Sequence, residues 1–219
     1  MELKQTYNSK YREPNVLINV KRKDLNKEAI HLYMNAPKLY MILLGSKAPT
    51  RNVEQHDYFF GIASSLKELV PEIKAFWPGT GTSLHIDGWR EVNKVDDYEI
   101  SIKLRDSHTL PSIPKLFFIN LGGYQAGKLY EQHYIVLSVQ EERAKAIQDA
   151  KKTVFFKTNS IKGANSHIDE KYGIDVDDIY KIEDILSEEA KQKYHIEIKP
   201  SSGLPEDELH LGYFRLDKL

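Results

Sequence analysis

Residues 38–45 read Lys-Leu-Tyr-Met-Ile-Leu-Leu-Gly, and residues 115–122 read Lys-Leu-Phe-Phe-Ile-Asn-Leu-Gly. Each stretch leads into the tripeptide Glu-Gln-His, at residues 54–56 and again at residues 131–133. A shift of 77 residues aligns the two segments without a gap, and 8 of 26 positions are identical. Unrelated segments of this length would share about one or two positions, so the pattern indicates a tandem duplication.

Shorter signals return further along the chain. His-Ile-Asp at residues 85–87 recurs at residues 167–169, and Val-Asp-Asp at residues 95–97 recurs at residues 176–178. The offsets are 82 and 81 residues, so we expect about five additional residues in the second copy. Four signals thus recur in one order, and they contain four of the eight histidines.

Hydrophobic periodicity predicts the elements of each copy. The apolar run at residues 39–44 has the length of a central strand, and residues 53–63 alternate as a second strand. Residues 66–77 have helical spacing, although Pro71 is expected to break this helix or to begin a new one. Two more strands are predicted before residue 105. We therefore predict an α+β fold of two tandem ββαββ-like repeats, packed about a pseudo-twofold axis.

Five segments are predicted along the chain. They are an N-terminal extension, repeat 1, a linker, repeat 2, and a C-terminal helix with strands that pack on the repeats, at residues 1–37, 38–104, 105–114, 115–186 and 187–219. Each repeat is near the smallest size at which a domain is stable alone, so we expect the two to pack against each other. Ser187 is predicted to cap the short helix of the last segment.

The composition excludes several classes of protein. There is no cysteine, which rules out disulfides, thiolate nucleophiles and zinc sites with cysteine ligands. The 31 basic and 32 acidic residues give a formal net charge of −1, without the basic bias of nucleic-acid binders. No apolar run reaches the ~20 residues of a membrane helix, and no signal peptide is recognised. We expect a cytoplasmic protein whose partner is a protein or small molecule rather than nucleic acid or a membrane.

The Glu-Gln-His motif places a carboxylate and an imidazole on one face of a strand. Glu54 and His56 are two residues apart, as are Glu131 and His133, and alternate residues of a strand point to the same side. A carboxylate orients the tautomer of an adjacent imidazole, which suits acid–base catalysis or metal ligation. The alternative is a structural polar pair at the strand ends. Duplication favours this alternative, because a fold-defining contact has to be kept in both copies.

The His-Ile-Asp motif repeats this arrangement. His85 and Asp87 share a face, and so do His167 and Asp169 in the second copy. If both motifs of one copy converge, they supply two imidazoles and two carboxylates, enough for a site with two histidines and one carboxylate. Their spacing matches no metal signature. We therefore predict hydrogen-bonded histidines without a metal or other cofactor, and keep a divalent ion as the alternative.

Arg51 and Lys128 occupy matching positions three residues before the two glutamates. Each follows a glycine-containing loop, so the two basic side chains are candidates for binding an anion beside exposed backbone N–H groups. The alternative is an exposed charge that pairs with the nearby glutamate. Neither a Walker loop nor the nucleophile elbow of serine hydrolases is present.

Several of these motifs are similar to those of a known family. They are Arg51-Asn52-x-Glu54-Gln55-His56-Asp57, residues 72–78, His85-Ile86-Asp87-x-Trp89-Arg90-x-Val92 and residues 207–214. The set resembles the bacterial family known as Domain of Unknown Function 1543, whose members carry the domain as a tandem pair. The resemblance covers about residues 38–219 and implies a small bacterial cytoplasmic protein. It implies no activity and no catalytic residue, and it leaves residues 1–33 as a peripheral arm.

The predicted function is a non-catalytic binding or regulatory module in which the Glu-Gln-His strands line a shared groove. One alternative is an acid–base enzyme or metal-dependent hydrolase that uses the histidines and carboxylates named above. A second alternative is an anion or nucleotide binder that uses Arg51 and Lys128. The distance between His56 and His85 separates these hypotheses, because imidazoles that lie far apart would leave the enzyme without its constellation.

Overall fold

A computed structural model of the chain describes residues 36–124, 129–157 and 174–219. The strands are β1 (Lys38–Ser46), β2 (Gln55–Ala63), β3 (His85–Glu91), β4 (Lys94–Val95), β5 (Tyr98–Leu104), β6 (Lys115–Tyr124), β7 (Glu131–Gln140), β8 (Ile174–Lys181), β9 (Tyr194–Pro200) and β10 (His210–Arg215). The α-helices are α1 (Leu66–Phe76), α2 (Arg143–Lys157), α3 (Ile182–Ile185) and α4 (Glu188–Lys193). Antiparallel sheets with a few helices confirm the predicted α+β class.

The strands form three antiparallel sheets. The first has the order β10-β3-β1-β2, the second has the order β7-β6-β8, and the third joins β4, β5 and β9. In the first sheet, β1 lies between the strand that follows it and the strand after helix α1. In the second sheet, β6 lies in the same way between β7 and β8, with α2 in the connection. The segment from β1 to β3 and the segment from β6 to β8 therefore have the same order of strands and helix. Strand β10 extends the first sheet only.

A β-bulge interrupts the pairing of β1 with β3 and of β6 with β8, at the same position in both sheets. The extra residue is Asp87 in β3 and Asp177 in β8, and each is left between paired neighbours of the central strand. A bulge re-aims the side chain of its extra residue. Asp87 and Asp177 therefore hold equivalent positions in the two sheets.

This register corrects one sequence alignment. Residues 95–97 were matched with residues 176–178, but they lie in different elements. Val95 ends the short strand β4, and the next two residues form its turn, in which Asp96 has a φ of +52°. Residues 176–178 instead lie in β8, which is the counterpart of β3. A match of three residues was too short to outweigh the register that the backbone hydrogen bonds of the sheet impose.

Three apolar cores hold the layers together. Alternate residues of β1 and β2 point to opposite faces, so one face packs on α1 and the other faces the second sheet. The α1 side contains, among others, Ile42, Leu44, Phe59, Leu69 and Ile73. The inner core, which lies between the first two sheets and includes residues of the third, contains among others Leu39, Phe60, Ile100, Leu116, Phe118, Val139 and Ile196. The outer face of the second sheet packs on α2 through residues that include Phe117, Ile119, Leu121, Ala146 and Ala150.

Helix α1 is continuous although Pro71 lies inside it, so the predicted break at Pro71 is wrong. Proline has no backbone N–H to donate to the carbonyl of Lys67, four residues earlier. Both residues lie on the exposed side of the helix, where water can bind this carbonyl. Leu69 and Ile73 on the opposite side are buried against the first sheet and stabilise the helix there.

The C-terminal segment begins with the short helix α4. Ser187 caps α4 as predicted, because its side-chain oxygen accepts a hydrogen bond of 3.2 Å from the backbone N–H of Ala190. In the part of the chain that the structure describes, no helix has the length and apolar character needed to cross a membrane.

Candidate functional site

Four side chains singled out in the sequence meet at one end of the first sheet. Nε2 of His85 lies 3.1 Å from Oδ1 of Asp87 and 3.3 Å from Oε1 of Glu54. Nε2 of His56 lies 3.1 Å from Oδ2 of Asp87 and 4.0 Å from Oε2 of Glu54. Imidazoles and carboxylates therefore alternate around a closed ring, which we call site 1.

Gly45 makes room for site 1. It pairs with His56 of β2 on one side and with His85 of β3 on the other. A Cβ atom on Gly45 would collide with Oδ2 of Asp87 and would lie 2.6 Å from Nε2 of His85. The bulge aims Asp87 over the backbone of β1, and the missing side chain of Gly45 leaves space for it.

His85 is the buried member of site 1, with a side chain only 4% exposed. Its Nδ1 lies 2.7 Å from the carbonyl oxygen of Ser83. A carbonyl oxygen only accepts, so Nδ1 carries the hydrogen and donates it. In the neutral ring Nε2 then has a lone pair, yet the carboxylates of Glu54 and Asp87 both face it. A proton or a metal ion between these groups is needed to offset their repulsion.

Asp87 has unused capacity to bind a positive group. Its Oδ2 atom is buried and accepts no hydrogen bond from the residues that the structure describes. His56 Nε2 is 3.1 Å from this oxygen, which makes the pair a charge contact without hydrogen-bond geometry. A buried carboxylate oxygen without a hydrogen bond is costly, and a cation would remove this cost.

Three residues that the sequence did not single out support His85. The ring of Tyr213, on β10, lies against the imidazole with a centroid distance of 4.2 Å and an interplanar angle of 34°. Ser46 and Ser83 join their hydroxyl groups at 2.7 Å beside it. Tyr213 belongs to a motif of the family resemblance, which was the signal that could have identified it. Ser83 acts through its backbone carbonyl, which every residue type has, so its sequence carried no signal.

A second cluster lies at the corresponding end of the second sheet. Glu131, His133 and Asp177 each offer a ligand atom, and these atoms lie within 4.8 Å of one another. Nδ1 of His133 lies 3.3 Å from Oδ2 of Asp177 and 3.2 Å from Oδ1 of Asn120. A Cβ atom on Gly122 would collide with the carboxylate of Asp177, as at the equivalent glycine of site 1. We call this cluster, with Asn120, site 2.

The remaining candidates are Arg51 and three residues that the structure does not describe. His167, Asp169 and Lys128 lie outside the described residues. In the first sheet, His85 pairs with Gly45 of the central strand. In the second sheet, the residue of β8 that pairs with the corresponding Gly122 is Asp175. Arg51 is exposed, and its backbone N–H donates to the carbonyl of Ala48 at 3.0 Å. The carboxylates of Glu54 and Asp87 in site 1 favour the binding of a cation over that of an anion at this end of the sheet.

Asp207 fastens the segment that leads into β10. Its side chain is 2% exposed, and its Oδ1 accepts a hydrogen bond of 3.1 Å from the backbone N–H of Asn93. The guanidinium of Arg90 lies 3.6 Å from Oδ2. Burial raises the pKa of Asp207 above its usual value in spite of these partners. Because β10 carries Tyr213, this anchor also holds the aromatic ring that covers His85.

Asp207→Asn is expected to change how stability depends on pH. The raised pKa means that the fold prefers the protonated carboxyl group, so this preference stabilises the fold fully below the unfolded pKa of about 4. The stabilisation is lost as the pH rises through the folded pKa. Urea unfolding from pH 3 to 7 should therefore show the wild type losing stability relative to the variant as the pH rises.

Asp106→Asn supplies a control of opposite sign. Hydrogen bonds from the side chain of Thr109 and the backbone of His108 lower the pKa of Asp106. The wild type should therefore gain stability relative to this variant as the pH rises from the folded pKa to about 4, and it should keep this gain at higher pH. A wild-type difference from Asp207→Asn that stays constant with pH would contradict the prediction.

Comparison with known proteins places site 1 in a family context. Residues 51–102 match the family model described as Domain of Unknown Function (DUF1543), and this segment contains all four members of the ring. The chain is similar to the crystal structure of a protein Il1583 from Idiomarina loihiensis, at 20% sequence identity and a TM-score of 0.51. The similarity covers 82% of this chain and 97% of that one, and it shows a shared fold. No curated protein was found to match the chain.

Proposed function

We propose that this chain, whose residues 51–102 match the DUF1543 family model, binds a divalent transition-metal ion in site 1. One observation carries the proposal. Nδ1 of His85 donates to the carbonyl of Ser83, while Nε2 faces the carboxylates of Glu54 and Asp87 at 3.3 and 3.1 Å. A metal ion between these groups would offset the repulsion of the two carboxylates for the lone pair of Nε2.

The donors suit a metal of the zinc class. Two imidazole nitrogens and two carboxylates are the ligands that Zn²⁺ and its neighbours bind in proteins without cysteine. Nε2 of His85 lies 3.1 and 3.3 Å from its two carboxylates. No three residues of site 1, all of which the structure describes, have ligand atoms within 4.8 Å of one another, so we infer that these side chains move closer together when the ion binds. The Ser83 carbonyl on Nδ1 is the type of outer partner that fixes a ligating histidine.

The function supported best is a metal-binding module in the cytoplasm. It keeps the binding role expected from the sequence, but it replaces the expectation of histidines without a metal by the alternative of a divalent ion. A metal-dependent hydrolase is the second candidate. The side chains of His56 and Glu54 are 48% and 40% exposed, so one side of site 1 is open to water. A metal ion held there would lower the pKa of a bound water molecule and polarise a substrate oxygen.

The two halves support a common origin by duplication, which we also infer. They share the strand order, the position of the bulge and the glycine opposite it. A bulge is an irregular feature, so its presence at one point of both sheets supports descent from a single ancestral unit.

A Zn²⁺ titration of the metal-free full-length chain tests the proposal. Calorimetry with a competing chelator should detect one tightly bound ion per chain. His85→Ala should weaken this binding about 100-fold, because loss of an outer partner alone costs about 10- to 100-fold. His108→Ala, which removes an exposed histidine from the loop after β5, should leave the affinity unchanged.

A second variant separates ligand loss from damage to the fold. Glu54 is 40% exposed, so Glu54→Gln keeps the shape of the site and removes one charge. It should weaken Zn²⁺ binding about tenfold with the same circular dichroism spectrum as the wild type. Unchanged affinity in both His85→Ala and Glu54→Gln would refute Zn²⁺ binding at site 1.

A further inference from the structure

We propose that site 2 is a separate cation site with a preference for a harder ion such as Mn²⁺. Its ligands are Glu131, His133 and Asp177, with the amide oxygen of Asn120 beside them. The proposal goes beyond site 1 and does not depend on it, because the two clusters have no residue in common.

The contacts of His133 indicate a cation. Its Nδ1 atom carries at most one hydrogen, yet two oxygens face it, Oδ1 of Asn120 at 3.2 Å and Oδ2 of Asp177 at 3.3 Å. A cation that takes the place of the hydrogen can contact the nitrogen and both oxygens, and the separations are those between neighbouring ligands of one ion.

Backbone geometry builds site 2 as it builds site 1. The bulge of β8 sets Asp177 over Gly122 of β6, and Gly122 pairs with His133 of β7. Glu131 and His133 are two residues apart on β7 and so share a face. All of these ligands therefore stand on strands of a single sheet, which holds a site more precisely than loops do.

The chemistry of site 2 differs from that of site 1. Site 1 has two imidazoles, whereas site 2 has one imidazole and otherwise oxygen donors, the ligand type that suits Mn²⁺ and Mg²⁺. The side chain of His133 is 52% exposed and that of Asp177 is 29% exposed. An ion bound here would keep several water molecules, and these could be exchanged for oxygens of a phosphate- or carboxylate-bearing ligand.

Electron paramagnetic resonance of free Mn²⁺ measures binding directly on the metal-free full-length chain. We expect one bound Mn²⁺ ion in the wild type, and about 100-fold weaker binding in His133→Ala and in Asp177→Asn. The variants His85→Ala and His108→Ala should bind Mn²⁺ as the wild type does. Zn²⁺ binding at site 1 should be the same in His133→Ala as in the wild type.

Asn120→Asp tests the site by a gain of affinity. The change puts a carboxylate where the amide oxygen faces His133, and it should strengthen Mn²⁺ binding about tenfold through the added charge. Damage to the fold cannot produce a gain of this kind.

Three results would overturn the proposal. They are no Mn²⁺ binding by the wild type, equal binding in the wild type and His133→Ala, and a loss of binding in His85→Ala alone. The last result would place Mn²⁺ in site 1. None of the three would affect the Zn²⁺ titration, so the two proposals fail separately.

Discussion

Phe118→Ala is expected to lower the free energy of unfolding by about 3–5 kcal/mol. Phe118 is 8% exposed in the inner core, and its ring centroid lies 5.7 Å from that of Tyr58 and 5.2 Å from that of Phe60. It also stacks on Tyr180 of its own sheet at 6.4 Å. Both sheets thus contribute rings to this point, and removal of the central ring leaves a cavity that neither sheet can fill. Urea unfolding followed by circular dichroism measures the loss.

Phe76→Ala is the matched control for this substitution. Phe76 is the last residue of α1, is 46% exposed and touches the ring of Phe59 at a centroid distance of 5.5 Å. Its removal opens no cavity between the sheets and is expected to cost about 1 kcal/mol or less. Equal losses from the two substitutions would show that the sheets do not depend on a shared core.

Periodicity predicted the elements in which local pattern and burial agree. The apolar run at residues 39–44 lies within β1, and the alternation at residues 53–63 became β2, which begins only at Gln55. Most of β1 and the second half of β2 are buried on both faces, so their apolar side chains report the fold directly. The α+β class followed from the same patterns.

Pairing between distant segments was not available from local pattern. β5 pairs with β9 and β3 pairs with β10, and the paired residues are between 90 and 130 positions apart in the chain. The second of them brings Tyr213 onto His85. The register of β8 likewise depends on backbone hydrogen bonds to β6, so Asp177 was assigned to the wrong counterpart and did not appear among the candidates.

The members of site 1 could be predicted from the sequence, but their convergence could not. Spacing of two residues placed Glu54 beside His56 and His85 beside Asp87. The two pairs meet only because β1 lies between β2 and β3 and has Gly45 at their common end. Gly45 could be read from the sequence, but the arrangement that places β2 and β3 on either side of it could not.

Gly45→Ala is expected to abolish Zn²⁺ binding at site 1 while Mn²⁺ binding at site 2 remains. The added Cβ atom would collide with Oδ2 of Asp87 and come within 2.6 Å of Nε2 of His85. Neither group can withdraw freely, because the bulge fixes Asp87 and the Ser83 carbonyl holds the imidazole. Overpacking of this kind also costs about 1–3 kcal/mol of stability, which thermal unfolding would measure.

Gly122→Ala should give the opposite result, since its added Cβ atom would displace Asp177 from site 2 and leave site 1 intact. The two substitutions are chemically identical and lie at equivalent ends of β1 and β6, so each controls for the general effect of a methyl group on a sheet. Zn²⁺ and Mn²⁺ titrations of both variants should therefore show each losing one ion and keeping the other. If either glycine variant lost both ions, or if both variants kept both, the glycines would not be shaping two separate cation sites.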